Sequence, residues 1–259
     1  MEPVAALRRI AYLLERDGAE SYKVRAFRAA AAAIADLPVV ELGAMAPARL
    51  KEIPQVGKTS AQVITEALCG ATPEYLEKLE SVQSPAMSEG ATALFDRLLG
   101  DCHSHSDWSD GGSPIREMAE AAKEQGHRYW ALTDHSPRLT IAHGLDAERL
   151  RRQLEVVAQL NEELAPFRIL TGIEVDILED GSLDQDDGLL AELDVVVASI
   201  HSKLRMDAAA MTERMVRAVE SPHTDILGHC TGRILVGRGR PQSTFDAEAV
   251  FGACARTGT

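Results

Sequence analysis

The chain has 259 residues, long for one ordinary domain and enough for two, or for one barrel with an appendage. Apolar residues make up 45% and charged residues 26%, a globular composition that excludes disordered and fibrous classes. The net charge of −13 is uneven: residues 1–80 hold 10 Lys and Arg against 11 Asp and Glu, and the remainder holds 17 against 29. An acidic body argues against broad nucleic-acid binding, so DNA contact is expected in the near-neutral N-terminal part and metal chemistry in the acidic part. No stretch approaches eighteen consecutive apolar residues, which predicts no membrane span or secretory signal. Cys69, Cys102, Cys230 and Cys254 are widely spaced with no CxxC pair, as expected of a cytoplasmic protein without a disulfide framework.

Residues 1–70 are rich in Ala and Leu at helical spacing. Ala5, Leu7, Ile10, Leu13 and Leu14 form one stripe, and Phe27, Ala30, Ala31 and Ile34 another, with Pro38, Gly43, Pro47 and Pro54 as punctuation. Residues 1–80 therefore read as a small all-α domain, and 81–100 as a linker with some helix of its own. From Asp101 the pattern alternates strand and helix. Strands are expected at Tyr129–Leu132, Ile169–Val175, Asp194–Ala198 and Asp225–Leu227. Helices are expected at Ser113–Gln125, with Ser113 as N-cap and Pro114 at the first turn, at Asp146–Leu164 and at Ala208–Val219. This alternation favours a parallel sheet, either open and doubly wound or closed into a barrel.

The chemistry concentrates at strand ends. His103 and His105 are two apart, so on a strand both imidazoles face one side and can share a cation. His135, Glu174, His201 and His229 then each end a later strand-like run. In parallel α/β folds the carboxyl ends of the strands form the ligand site. Imidazole and carboxylate donors suit Zn, Mn, Fe or Ni, and a carboxylate such as Glu174 can bridge two cations. Paired cations activate water and stabilise the leaving oxygen of a phosphate ester.

Five motifs in order, His103-Ser104-His105 with Ser109-Asp110-Gly111, Thr133-Asp134-His135, Gly172-Ile173-Glu174, Ser199-Ile200-His201 and Gly228-His229 with Gly232-Arg233, resemble the polymerase and histidinol phosphatase (PHP) family. The likeness is strongest to PHP domains attached to bacterial family X DNA polymerases. It implies a distorted (β/α)7 barrel over residues 101–259, with up to three divalent metals, Zn or Mn and alternatively Fe. His103 and His105 would hold the first, bridged by Glu174 to the second, which His201 and His229 complete, while Asp110 and His135 hold the third. The family closes with an Asp-x-His motif that does not occur after His229. The expectation is thus a barrel incomplete at its C-terminus, with first and third sites each short of one ligand and activity of this chain not assured.

Lys203 and Arg205 follow His201, and Arg233 and Arg238 follow His229; a guanidinium fork suits phosphate. Arg233 and Arg238 are the preferred catalytic phosphate binders, while Arg214 and Arg217 read as helix surface. His127 reads as a helix-exit residue, His143 as part of a substrate loop, His223 as the barrel bottom, and Trp108 as either a pocket shield or core.

Leu50 to Ile64 has helix-hairpin-helix spacing, in which a tight turn aims backbone N–H groups, and Lys58 its charge, at a DNA phosphate. With Tyr22 to Ala31 it resembles the N-terminal domain of family X polymerases, making Gly57 and Lys58 the DNA-binding expectation. Gln55 replaces the first hairpin glycine, and Val63 stands where the resemblance would put a Schiff-base lysine, so no lyase activity is expected. The leading expectation is a metal-dependent phosphoesterase processing DNA ends as a 3'-5' exonuclease or phosphatase in DNA repair. Alternatives are a histidinol-phosphate-type phosphatase, a zinc amidohydrolase, which the Glu174 pattern disfavours, and a non-catalytic DNA-binding scaffold.

Overall fold

The computed structural model describes residues 1–81, 88–235 and 239–259, and the chain divides into two compact units, Met1–Thr92 and Ala93–Thr259. The first is all-helical among its described residues: α1 Pro3–Arg16, α2 Ser21–Ile34, α3 Val39–Ala44, α4 Pro47–Leu50, α5 Lys58–Leu68 and α6 Glu74–Ser81. Glu2 caps α1 by accepting hydrogen bonds from the Val4 and Ala5 amides at 3.0 and 2.7 Å, and Pro3 starts it without losing a needed donor. The α1 stripe buries Ala6 rather than the expected Ala5, which is exposed; Leu7, Ile10, Leu13 and Leu14 are buried as expected. They pack with Phe27, Ala30, Ala31 and Ile34 of α2 and with Val63 and Ile64 of α5 in one core. Gly43 lies within α3 rather than breaking it, while Pro38 caps that helix and Pro47 opens α4.

Helix α7, Glu89–Phe95, spans the division between the units. The second unit then alternates: β1 Gly100–Asp101, α8 Ile115–Glu124, β2 Tyr129–Leu132, α9 Ala147–Leu164, β3 Arg168–Asp176, α10 Asp187–Leu190, β4 Val195–Ser199, α11 Ala208–Val219, β5 Ile226–Leu227 and α12 Ala247–Thr257. All five strands are parallel and stand in sequential order. A doubly wound sheet reverses its order at a switch point; unbroken sequential order is that of a barrel wall, here incomplete. Ile173, Val175, Val196, Ala198, Met211 and Met215 fill one side of the sheet, and Trp130, Leu132, Val157, Leu160 and Ile169 join β2 and β3 to α8 and α9.

Two local expectations are corrected. Pro114, not Ser113, is the cap residue of α8, and it makes no side-chain capping bond. Arg214 is buried rather than superficial, at 1% exposure. Its guanidinium donates to the carbonyls of Leu178 at 2.8 Å and Ser202 at 3.0 Å and also to that of Ile177, tying the loops after β3 and β4 together. Helical periodicity could not reveal this, because the acceptors are backbone oxygens more than ten residues away. Arg217, one turn along, is exposed and pairs with Asp180 at 3.7 Å.

Replacing Arg214 by Leu is therefore expected to strand three acceptors and cost about 3 kcal/mol, lowering the thermal midpoint by roughly 10 °C. Arg217→Ala should leave it within experimental error, and calorimetry on both proteins checks the contrast.

Candidate metal centre

Every candidate ligand but Asp110 lies in or just beyond the carboxyl-terminal part of a strand, and Asp110 lies in the loop between β1 and α8. Ladder pairing in β1 stops at Asp101, so His103 and His105 are not on a strand as expected, but on the extended segment that follows it. That segment is still aligned with its neighbour. The Thr133 amide donates to the Ser104 carbonyl at 2.9 Å, the Ser104 amide donates to Thr133 Oγ1 at 3.0 Å, and Trp130 Nε1 donates to Ser104 Oγ. Thr133 Oγ1 also lies 3.1 Å from His103 Nδ1. Glu174 does not end its strand, since β3 runs on to Asp176, and an isolated parallel bridge pairs it with His135.

The side chains converge on one carboxylate. Glu174 is 1% exposed, and its Oε2 lies 3.7 Å from His103 Nε2, 3.4 Å from His105 Nε2 and 3.0 Å from His135 Nδ1. Its Oε1 lies 3.4 Å from His201 Nε2 and 2.7 Å from His229 Nε2. The five rings follow one another round it, with centroids 5.0, 4.4, 5.0 and 5.1 Å apart in the order His103, His105, His135, His201, His229. Asp110 sits outside, 3.9 Å from His105 Nδ1 and 3.5 Å from His135 Nε2. Among the described residues, three triplets have donor atoms all within 4.8 Å: His103, His105 and Glu174; His105, Asp110 and His135; and His135, Glu174 and His201. His229 reaches the cluster through its hydrogen bond to Glu174 rather than through a triplet with His201.

The ionised Glu174 carboxylate favours a cation, whereas the charge on His201 opposes one until its proton leaves. Burial alone would raise the Glu174 carboxyl, but hydrogen bonds from His201 and His229 outweigh it and hold the group well below the usual carboxylate range. Burial likewise disfavours protonated His201, yet Asp176 and Glu174 push its pKa up to about 9. Burial is the largest cause in lowering both His103 and His135. The donor set fits a divalent metal: imidazole and carboxylate surround one space, and among the described residues the buried His105 Nδ1 and His135 Nδ1 make no aligned hydrogen bond, although His135 Nδ1 lies 3.0 Å from Glu174 Oε2.

Two carboxylates that motif reading passed over support the ligands. Asp176 accepts from His201 Nδ1, leaving Nε2 directed toward Glu174, the arrangement by which a carboxylate fixes a ligating histidine. Its signal was the two-residue spacing from Glu174, which puts both on one face of β3. Asp134 is buried and accepts from the Ser106 amide at 2.8 Å, Ser106 Oγ at 2.6 Å, Ser109 Oγ at 2.5 Å and Gln153 Nε2 at 2.6 Å. It thereby holds the loop bearing His105 and Asp110 against the residue before His135.

Other expected positions lie apart from this cluster. Arg233 is exposed with no ion pair among the described residues, and Arg238 lies outside the described residues. His143, at φ +55°, closes a 3₁₀ turn and its carbonyl accepts from Arg149, while Trp108 is half-buried against the core. In the first unit, Gly57 caps α5 and Lys58 is its exposed first residue. The Gly57 amide donates to Ser60 Oγ at 2.9 Å, and Gln55 takes the left-handed conformation at φ +69°, where glycine would be less strained. Among the described residues, no helix is long and apolar enough to cross a membrane.

Comparison with known proteins agrees with this division. Residues 1–72 match the helix-hairpin-helix domain model and residues 101–213 match the PHP domain model. The chain is 44% identical over 187 residues to a Bacillus subtilis protein named DNA polymerase/3'-5' exonuclease PolX, across 72% of this chain and 32% of that protein. It is 32% identical over 167 residues to a Thermoanaerobacter protein named "Probable phosphatase", across 62% of each, and 32% identical over 166 residues to a Shewanella protein of the same name, across 61% of this chain and 59% of that one. The chain thus spans about a third of the length of the first relative and about three fifths of the others.

Because His201 is cationic below about pH 9, a divalent ion must displace the Nε2 proton to bind there. Mn²⁺ affinity is expected to rise as pH climbs from 6.5 toward 9, with close to one proton released, read by titration calorimetry in buffers of different ionisation heat. The same raised pKa stabilises the metal-free fold fully below about 6.5 and loses that contribution as pH rises through about 9. A His201→Ala/His229→Ala protein that bound Mn²⁺ as tightly as the parent would remove these residues from the site.

Proposed function

We propose that this chain, which carries a PHP domain behind a helix-hairpin-helix domain, is a metal-dependent phosphoesterase that acts on DNA ends as a 3'-5' exonuclease or phosphatase. The observation that carries this reading is the buried Glu174 carboxylate encircled by five imidazoles. His103, His105 and Glu174 would hold one cation, His135 and Asp110 a second with His105, and His201 and His229 a third together with Glu174. Zn or Mn, and alternatively Fe, suits these donors. Such ions supply Lewis-acid stabilisation and bring the pKa of a water molecule to near neutrality.

The chain's own groups would do the rest. Asp176 holds the His201 ring by its Nδ1 proton, and Asp134 keeps the His105 and Asp110 loop in register. Arg233, and Arg238 beyond it, would meet negative charge on the transferring phosphate. In the other unit, the N-terminus of α5 that begins after Gly57, whose own amide is held by Ser60 Oγ, and the Lys58 ammonium would grip a DNA phosphate without reading sequence. Similarity to proteins named as phosphatases over the same region favours a second reading, in which the substrate is a small phosphate monoester and the helical unit takes no part.

The test is Mn²⁺-dependent hydrolysis of bis-p-nitrophenyl phosphate and of single-stranded DNA, by this chain and by a longer one that supplies the family's Asp-x-His ligands. His103→Ala is expected to abolish turnover in the longer chain with unchanged circular dichroism, since a ligand at the mouth contributes little to the core. Normal turnover by His103→Ala would place the chemistry elsewhere.

For the helical unit, Lys58→Glu in the whole chain should remove salt-dependent DNA binding, measured by fluorescence anisotropy at low salt, and leave Mn²⁺ binding intact. Undiminished DNA binding by that variant would take the hairpin out of the substrate path.

A further inference from the structure

The segments that follow His201 and His229 border an open cavity of about 500 Å³, lined by Lys203, Leu204, Arg205, Met206 and, from the second segment, Arg240, Pro241, Gln242 and Thr244. Its charge runs against that of its surroundings. Residues 81–259 carry 29 acidic side chains against 17 basic ones, yet this wall holds three cations and no carboxylate. Arg205 makes no ion pair among the described residues, and Lys203 has only an exposed contact with Glu179 at 3.6 Å, the kind of pair worth little in water. Leu204, Met206 and Pro241 add apolar groups to the same lining.

The wall is built rather than incidental. Lys203 stands in the left-handed region at φ +53°, an unfavourable conformation for a lysine, and its carbonyl accepts from the Met206 amide at 3.0 Å. Ser243 Oγ donates to the Leu204 carbonyl at 2.8 Å, joining the two segments. Gly232 stands at φ +58°, where a side chain would be strained, and a Cβ there would come within 2.8 Å of Leu204 Cδ2. Arg240 exchanges backbone hydrogen bonds with Ile234 at 2.9 and 3.0 Å, and its Nε donates to the Gly232 carbonyl at 2.6 Å. That fixes the plane of the guanidinium while its Nη groups make no hydrogen bond among the described residues. Lys203 is two residues from His201, a chain distance of at most about 7 Å.

We propose that Lys203, Arg205 and Arg240 form a second phosphate subsite beside the metal centre, which takes the neighbouring phosphodiester of a nucleic-acid strand while the apolar lining groups carry the intervening nucleoside. The proposal rests on the phosphoesterase reading and deepens it: a one-phosphate substrate leaves this cavity unused, whereas a strand fills it.

The test is binding to the 259-residue chain, with and without Mn²⁺, of thymidine 5'-monophosphate, of the dinucleotide pTpT and of inorganic phosphate. The dinucleotide is expected to bind about tenfold more tightly than the mononucleotide. In Lys203→Ala/Arg205→Ala the two should bind alike, with mononucleotide and Mn²⁺ affinities unchanged. Arg240→Lys, which keeps the charge but not the braced fork, should lose part of the preference. Equal affinities in the parent chain, or a preference undiminished in the double variant, overturns the subsite. A dinucleotide preference that disappears in the double variant but shows no dependence on Mn²⁺ would uphold the subsite and sink the metal reading instead. Without Mn²⁺, inorganic phosphate binding that competes with pTpT and is lost in the double variant supports it, and Mn²⁺-free phosphate binding indifferent to the substitutions counts against it.

Discussion

A carboxylate buried at the end of a strand is the constraint from which the second unit's arrangement follows. Glu174 has almost no contact with solvent, and an ionised group in that position is tolerated only when surrounded by donors or cations. Five imidazoles supply them, brought in by the four segments that follow β1, β2, β4 and β5. Sequential parallel strands are what make this possible, because they put five successive strand ends on one rim. The cost of gathering so many polar groups is offset by the apolar layers behind them, where Ile173, Val175, Val196 and Ala198 pack on α11 residues Met211 and Met215.

Positioning is delegated to a second tier of polar contacts. Asp134, Asp176 and Arg214 are each buried, and each joins segments distant in sequence. Asp134 fastens the first ligand loop to the strand beside it, Asp176 orients His201, and Arg214 binds the carbonyls that flank both Asp176 and His201. Substitution of such a residue disturbs where a ligand points rather than whether it exists. Binding geometry and fold stability are therefore linked through these three side chains.

The helical unit follows a simpler logic. It has its own core, dominated by α1, α2 and α5, and leaves Lys58 and Thr59 at the start of α5 exposed. Val63 and Ile64 serve that core, so the side chain that stands where the resemblance would place a lysine is here a packing residue. Gln55 adopts the left-handed turn that a glycine would enter more easily, which shows that the hairpin geometry is imposed by the flanking helices rather than by the turn residue alone.

What the sequence determined by itself was whatever depends on spacing along the chain. The all-α character of the first unit, the strand and helix alternation of the second, and the identity of His103, His105, His135, Glu174, His201 and His229 as strand-end chemistry were all legible, because periodicity and motif order are local. The bounds of α11 were equally readable for that reason. Only the tertiary structure decided which donors share a space: that His105 stands with Asp110 and His135 as well as with His103, and that Asp176 holds His201. It also decided that Arg214 is interior and that Arg240 faces the same cavity as Lys203 and Arg205. These facts depend on strand register and on backbone carbonyls contributed by remote loops, and neither leaves a mark in the spacing of residues along the chain.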